Sequence, residues 1–316
     1  MISIVIPLYN KESSIIRTLE SVKEQTFTDY ECLIINDGST DKSADVVRDV
    51  ICNMVGGIRE RFHLIEEENG GVCSARNRGI KEAKSELVAF LDADDLWGKD
   101  YLKEQIRMVT DFPNCSMWSI NYAETAGGKV IRDVPTGLPN GFRGIVDNYF
   151  ELPGRVSDLF HSSSVVIRKE VFEEVGYFDE RMKYSEDDDM WWRILAEKKC
   201  AFYDKYMVYY QQDTENRADA NIWSHKLKFF LPYFVGKYAK YKTINPIFYC
   251  FVNRWSAIWL TRYYFGKKEE REDVLVAAKG LDYSVISPKY GLYFKTPYWI
   301  AYVMFRMVWL KNGKRW

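Results

Sequence analysis

Three aspartates stand in four positions, Asp92, Asp94 and Asp95, directly behind the apolar run Leu87–Leu91. Carboxylates packed this closely repel and raise one another's proton affinity unless a cation sits among them. Hard carboxylate oxygens select magnesium or manganese, ions that keep coordination positions open for phosphate oxygens. The chemistry expected here is the holding of a diphosphate through Mg2+ or Mn2+. A second acidic run, Glu186 to Asp189, follows Ser185. Ser185 can cap a helix there, and acids in a first turn complement the helix dipole. Four consecutive acids are nevertheless more than a cap needs.

Two glycine-containing stretches add matching chemistry. In INDGSTD, Asp37 is followed by Gly38 for a sharp turn and by Ser39, Thr40 and Asp41 as N-cap residues. In ENGGVCSARNRG, Asn69 leads to Gly70 and Gly71 at a helix entrance, where unpaired N–H groups and the dipole favour an anion within reach of Arg76. Either stretch alone reads as turn and cap chemistry; both on one edge point to a ligand.

The elements that must bring these residues together are legible in the periodicity. Short apolar or β-branched runs at Ile2–Leu8, Glu31–Ile35, Phe62–Ile65 and Leu87–Leu91 alternate with helical patterns carried by Ile16, Leu19 and Val22, by Ala44, Val47 and Val50, and by Ala75–Ala83. This is the pattern of βαβ units in a parallel sheet covered on both faces. Such sheets bind ligands at the carboxyl ends of their strands, which places Asn10, Asp37, Asn69 and Asp92–Asp95 along one rim.

Composition narrows the partners. A formal charge of -1 over 316 residues provides no global field for nucleic acid. Six scattered cysteines without C-x-x-C spacing read as reduced thiols of a cytoplasmic protein, and three histidines are too few for a histidine-rich zinc site. The N-terminal MISIVIPLYN reads as a strand rather than a signal peptide, and no apolar run approaches the roughly 18 residues of a spanning helix.

SIVIPLYN, INDGSTD, ENGGVCSARNRG, AFLDADDLW and GYFDERMKYSEDDDMWWR resemble, in this order and spacing, the family 2 glycosyltransferases of GT-A fold. The resemblance covers about Met1 to Gln212. It implies an α/β architecture, a mostly parallel sheet flanked by helices, and an inverting enzyme using a nucleotide-diphospho-sugar, with UDP as the nucleotide. Carried over by position, Pro7, Tyr9 and Asn10 flank the nucleotide, Asp37 accepts the base N–H, and Arg76 lies near the nucleotide or diphosphate. Asn69 stands with them on the donor side. Asp92 sits by the ribose and metal, and Asp94 with Asp95 holds the metal. Asp187 of the E-D pair is the general base, its proton affinity expected to be raised by Glu186, Asp188 and Asp189 unless these pair with Arg193. Glu186, Trp191 and His161 are acceptor-side residues, although Trp191 and Trp192 also have the spacing of core residues. Many members carry a metal-ligating histidine where this chain has YYQQDTENR; Gln211, Gln212 or Asp213 could substitute through oxygen.

Between the acidic clusters, Glu124–Asp133 reads as a hairpin around Gly127 and Gly128, and the loops Pro135–Gly144 and Leu152–Arg155 as specificity elements. Residues His161–Ser164 face either acceptor or core. The expected organisation is a catalytic domain over 1–216 and an aromatic-rich, basic, α-helical region over 217–316. After Asp282 that region has no acid but retains Lys289, Lys295, Arg306, Lys311, Lys314 and Arg315. Such helices lie in a membrane interface, here its inner face, or else pack their aromatic faces or form a dimer contact.

Three function classes follow: a transferase extending a glycan or lipid-linked saccharide in surface polysaccharide synthesis, a magnesium phosphatase of the haloacid dehalogenase type, and a non-catalytic nucleotide-sugar binding module. The second is disfavoured by Leu96, which stands where its motif wants Thr or Val, and the third by the presence of both acidic clusters.

Overall fold

The computed structural model describes residues 1–133, 136–147, 149–152, 159–214 and 226–311. The boundary expected at 216/217, most of the Leu152–Arg155 loop, and Lys314 and Arg315 lie outside them. The chain divides into two compact units, Met1–Ala220 and Asn221–Trp316.

The first unit opens with β1 (Ile2–Leu8), α1 (Ile15–Lys23), β2 (Tyr30–Asp37), α2 (Ser43–Cys52), β3 (Phe62–Glu67), α3 (Val72–Glu82) and β4 (Leu87–Phe90). β1 pairs in parallel with β2 and β4, and β2 with β3, so all four strands end on one edge. Every residue of β2 is buried, as expected of a strand covered on both faces. α1 buries Ile15, Leu19 and Val22 while Ile16 is exposed, so the inward stripe starts one residue before the Ile16 of the sequence pattern. In α3 a Cβ on Gly79 would stand 2.2 Å from Val5 Cγ1; glycine there lets the helix lie directly on β1.

Beyond β4 the sheet becomes mixed. β5 (Leu96–Trp97) and α4 (Tyr101–Asp111) precede β6 (Met117–Ala126) and β7 (Lys129–Asp133), which form the expected hairpin with Gly127 and Gly128 both at positive φ. β8 (Arg143–Ile145), β9 (Val165–Arg168), α5 (Glu170–Val175), α6 (Glu186–Glu197) and β10 (Cys200–Gln211) complete the unit. The strand order is β3-β2-β1-β4-β9-β6-β10-β5, with β7 on β6 and β8 on β10. β9 runs antiparallel to both β4 and β6, and β10 parallel to β6. That reversal matters for the site: it places the start of β9, and hence His161–Ser164, at the same edge where β4 and β10 end.

The second unit is helical. A 3-10 run at Leu231–Lys240 leads into α7 (Tyr241–Ile244), α8 (Pro246–Gly266), α9 (Arg271–Ala278), α10 (Pro288–Lys295) and α11 (Tyr298–Lys311). α8 starts on Asn245, whose side chain accepts the Phe248 N–H at 3.0 Å, with Pro246 at the first helical position. It buries Phe248, Tyr249, Val252, Leu260, Tyr263 and Tyr264, so half of the aromatic residues of this helix are core and the others are partly exposed. Among the described residues no helix is long and apolar enough to cross a membrane.

Candidate active site

The rim is assembled loop by loop. Asn10, just past β1, adopts a left-handed conformation (φ 51°), which Asn tolerates better than most residues. Its Oδ1 accepts the Thr40 and Asp41 N–H groups at 2.8 and 3.3 Å, so the β1 loop clamps the β2 loop. Tyr9 stands half-open beside it, 45% exposed, and Pro7 lies within β1.

Asp37, by contrast, is 3% exposed. Its Oδ1 accepts the Gly70 N–H at 2.7 Å and its Oδ2 the Gly71 N–H at 3.0 Å, while Asn69 Nδ2 donates to its carbonyl at 2.9 Å. The anion that the helix-entrance N–H groups attract is therefore this chain's own Asp37, which shapes the loop. Burial raises its proton affinity, opposed by those two N–H groups. Gly38 is required at the crossing, since a Cβ there would meet Asn69 N at 2.9 Å with φ at +64°.

Arg76, in the second turn of α3 and 3% exposed, donates from Nη2 to Asp92 Oδ1 at 2.9 Å and from Nη1 to Glu186 Oε1 at 3.0 Å. One guanidinium thus joins the β4 end to the start of α6 in a geometry suited to Arg and not to Lys. Burial works to raise the Asp92 carboxyl, but Arg76, aided by His161 and Lys11, holds it below the usual range. Burial and the neighbouring Asp187 push Glu186 up to about 7 against the pull of Arg76. Asp187 is half-buried, receives Ser162 Oγ at 3.4 Å, and accepts the Asp188 N–H at 2.8 Å.

Asp94 Oδ2 accepts Lys11 Nζ at 2.6 Å and Thr214 Oγ1 at 2.9 Å. Lys11 and Thr214 are absent from the residues singled out in the sequence. A lone lysine after Y-N, and a threonine three residues past β10, carry no signal until the rim closes.

Several expectations are corrected. Asp95 is not placed as a metal ligand: it is fully buried, and its two oxygens take Ser163 Oγ at 2.6 Å and the Gln211 N–H at 3.1 Å. Burial, then Asp94 and Asp92, push it well above the carboxylate range. Trp191 is 1% exposed, packed on Phe90 and Phe178, and cannot stack on an acceptor; Trp192 is equally buried. Ser185 occupies the N-cap position of α6 in a left-handed conformation and makes no side-chain cap bond. Asp189 is fully buried and paired with Arg193 at 3.0 Å, which also donates to the carbonyls of Val175, Gly176 and Tyr177. Of the residues offered in place of a histidine ligand, Gln211 is buried on Thr125 and Asp213 holds the hairpin at Gly127 N, while Gln212 N binds the Thr125 carbonyl.

His161–Ser164 is resolved as a divided segment. Ser162, Ser163 and Ser164 are core, with Trp97 Nε1 and Gln105 Nε2 donating to the carbonyls of Ser163 and Ser164. His161 packs against the rings of Tyr122 and Tyr210 at 4.7 and 4.8 Å, and its Nδ1 accepts the Ser163 N–H, so the neutral ring carries its proton on Nε2. Burial depresses its basicity, although Asp92 and Asp187 pull the other way.

Among the described residues no group of three or more His, Cys, Asp or Glu is arranged to hold a metal. Asp92 and Asp94 do offer hard oxygens side by side on one turn, each with a cation on one oxygen, Arg76 and Lys11 respectively. That donor set suits Mg2+ or Mn2+ completed by phosphate oxygens.

Comparisons with known proteins bear on the family and the fold. The glycosyl transferase family 2 profile matches residues 3–176, more than half of the chain. An uncharacterized glycosyltransferase of Rickettsia typhi is 28% identical over 219 residues, 64% of this chain and 61% of the relative. TuaG of Bacillus subtilis, described as a candidate teichuronic acid biosynthesis glycosyltransferase, is 36% identical over 112 residues, 35% of this chain and 42% of the relative. The chain thus spans less than two thirds of the length of these relatives. S. aureus TarS 1-349 in complex with UDP-GlcNAc superposes with a TM-score of 0.68 at 20% identity, over 90% of this chain and 82% of that one, a likeness of fold. With the parallel β1–β4 half, the mixed continuation and the two acidic clusters on one rim, the fold is GT-A, and the chain belongs to glycosyl transferase family 2.

Proposed function

We propose that this protein transfers a hexosyl or N-acetylhexosaminyl group, with inversion, from a UDP-sugar to a hydroxyl of a glycan or lipid-linked saccharide in surface polysaccharide synthesis. The observation that carries the reading is the Asp92–Arg76–Glu186 bridge, which ties a diphosphate-side carboxylate to the acidic start of α6 beside Asp187. The named relatives and the UDP-GlcNAc complex of TarS support the donor and acceptor classes.

In this reading Tyr9 lies against the base, over a rim held by Asn10 and by the Asp37–Asn69–Gly71 loop. Asp92 and Asp94 would hold Mg2+ or Mn2+, whose charge neutralises the departing diphosphate. Arg76 keeps Asp92 ionised and aimed, and fixes Glu186. Asp187 takes the acceptor hydroxyl proton while that oxygen attacks the anomeric carbon opposite the diphosphate. One C–O bond forms, one breaks, and the configuration inverts. His161 presents Nε2–H on the acceptor side. The test is nucleotide release from a panel of UDP-sugars with manganese and acceptor; phosphate release from a monoester, with no UDP formed, would favour the phosphatase class instead.

A separate observation favours an anionic membrane surface as a partner of the second unit. On α11, Trp299, Tyr302, Val303, Arg306 and Met307 share one face and are exposed, Trp299 by 69% and Met307 by 65%. The sequence after Asp282 has only basic charges, so an apolar, positively rimmed face meets anionic headgroups with complementary charge.

A further inference from the structure

Lys11 is held where a metal ion would have to work. Its backbone N–H is fixed by Ser43 Oγ at 2.7 Å, and the residue before it is the left-handed Asn10 clamped on the β2 loop. From this anchored position the side chain crosses to Asp94, Nζ to Oδ2 at 2.6 Å, with the lysine 12% and the aspartate 14% exposed. The pair is thus mostly shielded from the water that would screen it. On the other side of the turn Arg76 is bound to Asp92 at 2.9 Å. Lys11 and Arg76 each cover one carboxylate of the turn, Arg76 shared with Glu186, so Asp92 and Asp94 are partly neutralised before a donor arrives and pull less on a divalent ion. A nucleoside diphosphate brings at least two negative charges with it. Arg76 is locked by two carboxylates, whereas Lys11 is a flexible stem with rotatable donors.

We propose that Lys11 is the resident counter-cation of Asp94, and that it swings from Asp94 to the diphosphate when nucleotide and metal enter together, so that free metal binds weakly and metal and nucleotide binding are coupled. The inference rests on the nucleotide-sugar reading above for the identity of the incoming anion. It goes further in assigning a role to Lys11 and an interdependence to the two ligands, which linkage makes reciprocal.

The test titrates Mn2+ into the full chain, with and without saturating UDP, following free Mn2+ by electron paramagnetic resonance. In the unmodified protein UDP should tighten Mn2+ binding at least about 10-fold. Lys11→Met should tighten UDP-free Mn2+ binding about 5- to 10-fold and weaken UDP binding at saturating Mn2+, shrinking the coupling. Lys11→Arg, which keeps the charge, should stay near the unmodified protein in UDP-free Mn2+ binding. Lys11→Gln carries the same test should the methionine variant not fold. UDP-free Mn2+ binding that is unchanged, weaker or undetectable in the neutral variants overturns the proposal, as does equal behaviour of Arg and Met. UDP failing to bind any variant or the parent overturns the nucleotide reading instead, and the UDP-free titration still decides whether Lys11 competes with metal.

Discussion

Ser163 Oγ donates to Asp95 Oδ2 across 2.6 Å, inside the fold and away from solvent. The same hydroxyl accepts the Asp92 N–H at 3.1 Å, so a serine from the segment before β9 fixes the turn that carries all three aspartates. Asp95 is tied into the interior, and in the proposed reading Asp92 and Asp94 are the carboxylates left for a ligand. Ser163→Ala should therefore cost about 1–3 kcal/mol of stability, the price of stranding a buried polar group. Urea denaturation checks this. Asp94→Ala should still fold, with some loss of stability from the stranded Lys11 ammonium, but lose Mn2+-dependent UDP binding. If Asp94→Ala keeps that binding, or Asp95→Ala loses it without losing stability, the division between the two acids is wrong.

Asp187→Asn keeps the size and much of the hydrogen bonding of the side chain and removes its proton acceptor. Fold, Mn2+ binding and UDP binding should persist, while transfer falls about 10²- to 10⁴-fold, as for loss of a positioned general base. Single-turnover transfer with donor binding measured in parallel decides it. Undiminished transfer would move the base to another carboxylate, with Glu186 first in line.

Asp189→Ala should behave in the opposite way. It leaves Arg193 buried, 8% exposed at the side chain, without its carboxylate, a defect worth about 3–5 kcal/mol. The expected outcome is a large loss of melting temperature at unchanged UDP affinity in the fraction that folds. A variant as stable as the parent would show that the three carbonyl bonds of Arg193 suffice.

Glu186 predicts a pH dependence. Its folded pKa of about 7 lies above the unfolded value of roughly 4.3. Between those values the folded chain keeps a proton that the unfolded chain has released, so stability falls as pH rises through this window. The loss is about 4 kcal/mol at most. Glu186→Gln should flatten that slope in thermal melts between pH 4.5 and 7.5. Parallel slopes in parent and variant would mean that the Arg76 contact outweighs burial.

Trp299→Glu combined with Met307→Glu should release the chain from vesicles containing anionic lipid at low salt, while the melting temperature stays within a few degrees because both side chains face solvent. Sedimentation with vesicles measures it. Equal sedimentation of parent and variant would remove α11 from the contact, and a change in oligomeric state instead would identify the face as an interface between copies.

The parallel half of the sheet was legible because its information is local: β-branched runs and helical stripes repeat within a few residues, and a parallel strand's carboxyl end is a rim by topology. Asp92, Asp94, Arg76 and the glycine turns could be picked out for the same reason, whereas Asp187 was singled out among its neighbouring acids only by the family resemblance. Direction of burial could not. Whether Asp95 faces a ligand or the interior depends on β9 running antiparallel between β4 and β6, which brings Ser163 to the β4 end and the Gln211 N–H to its other oxygen. Trp191 has the same spacing whether it faces a sugar or Phe90, and only the packing of α6 on β4 decides. Lys11, Thr214 and the capture of Gly70–Gly71 by Asp37 join residues 33 to 120 positions apart. Charge pairing over such separations is set by the closing of the sheet, because it is the approach of the loops in space, and not their composition, that brings opposite charges within contact.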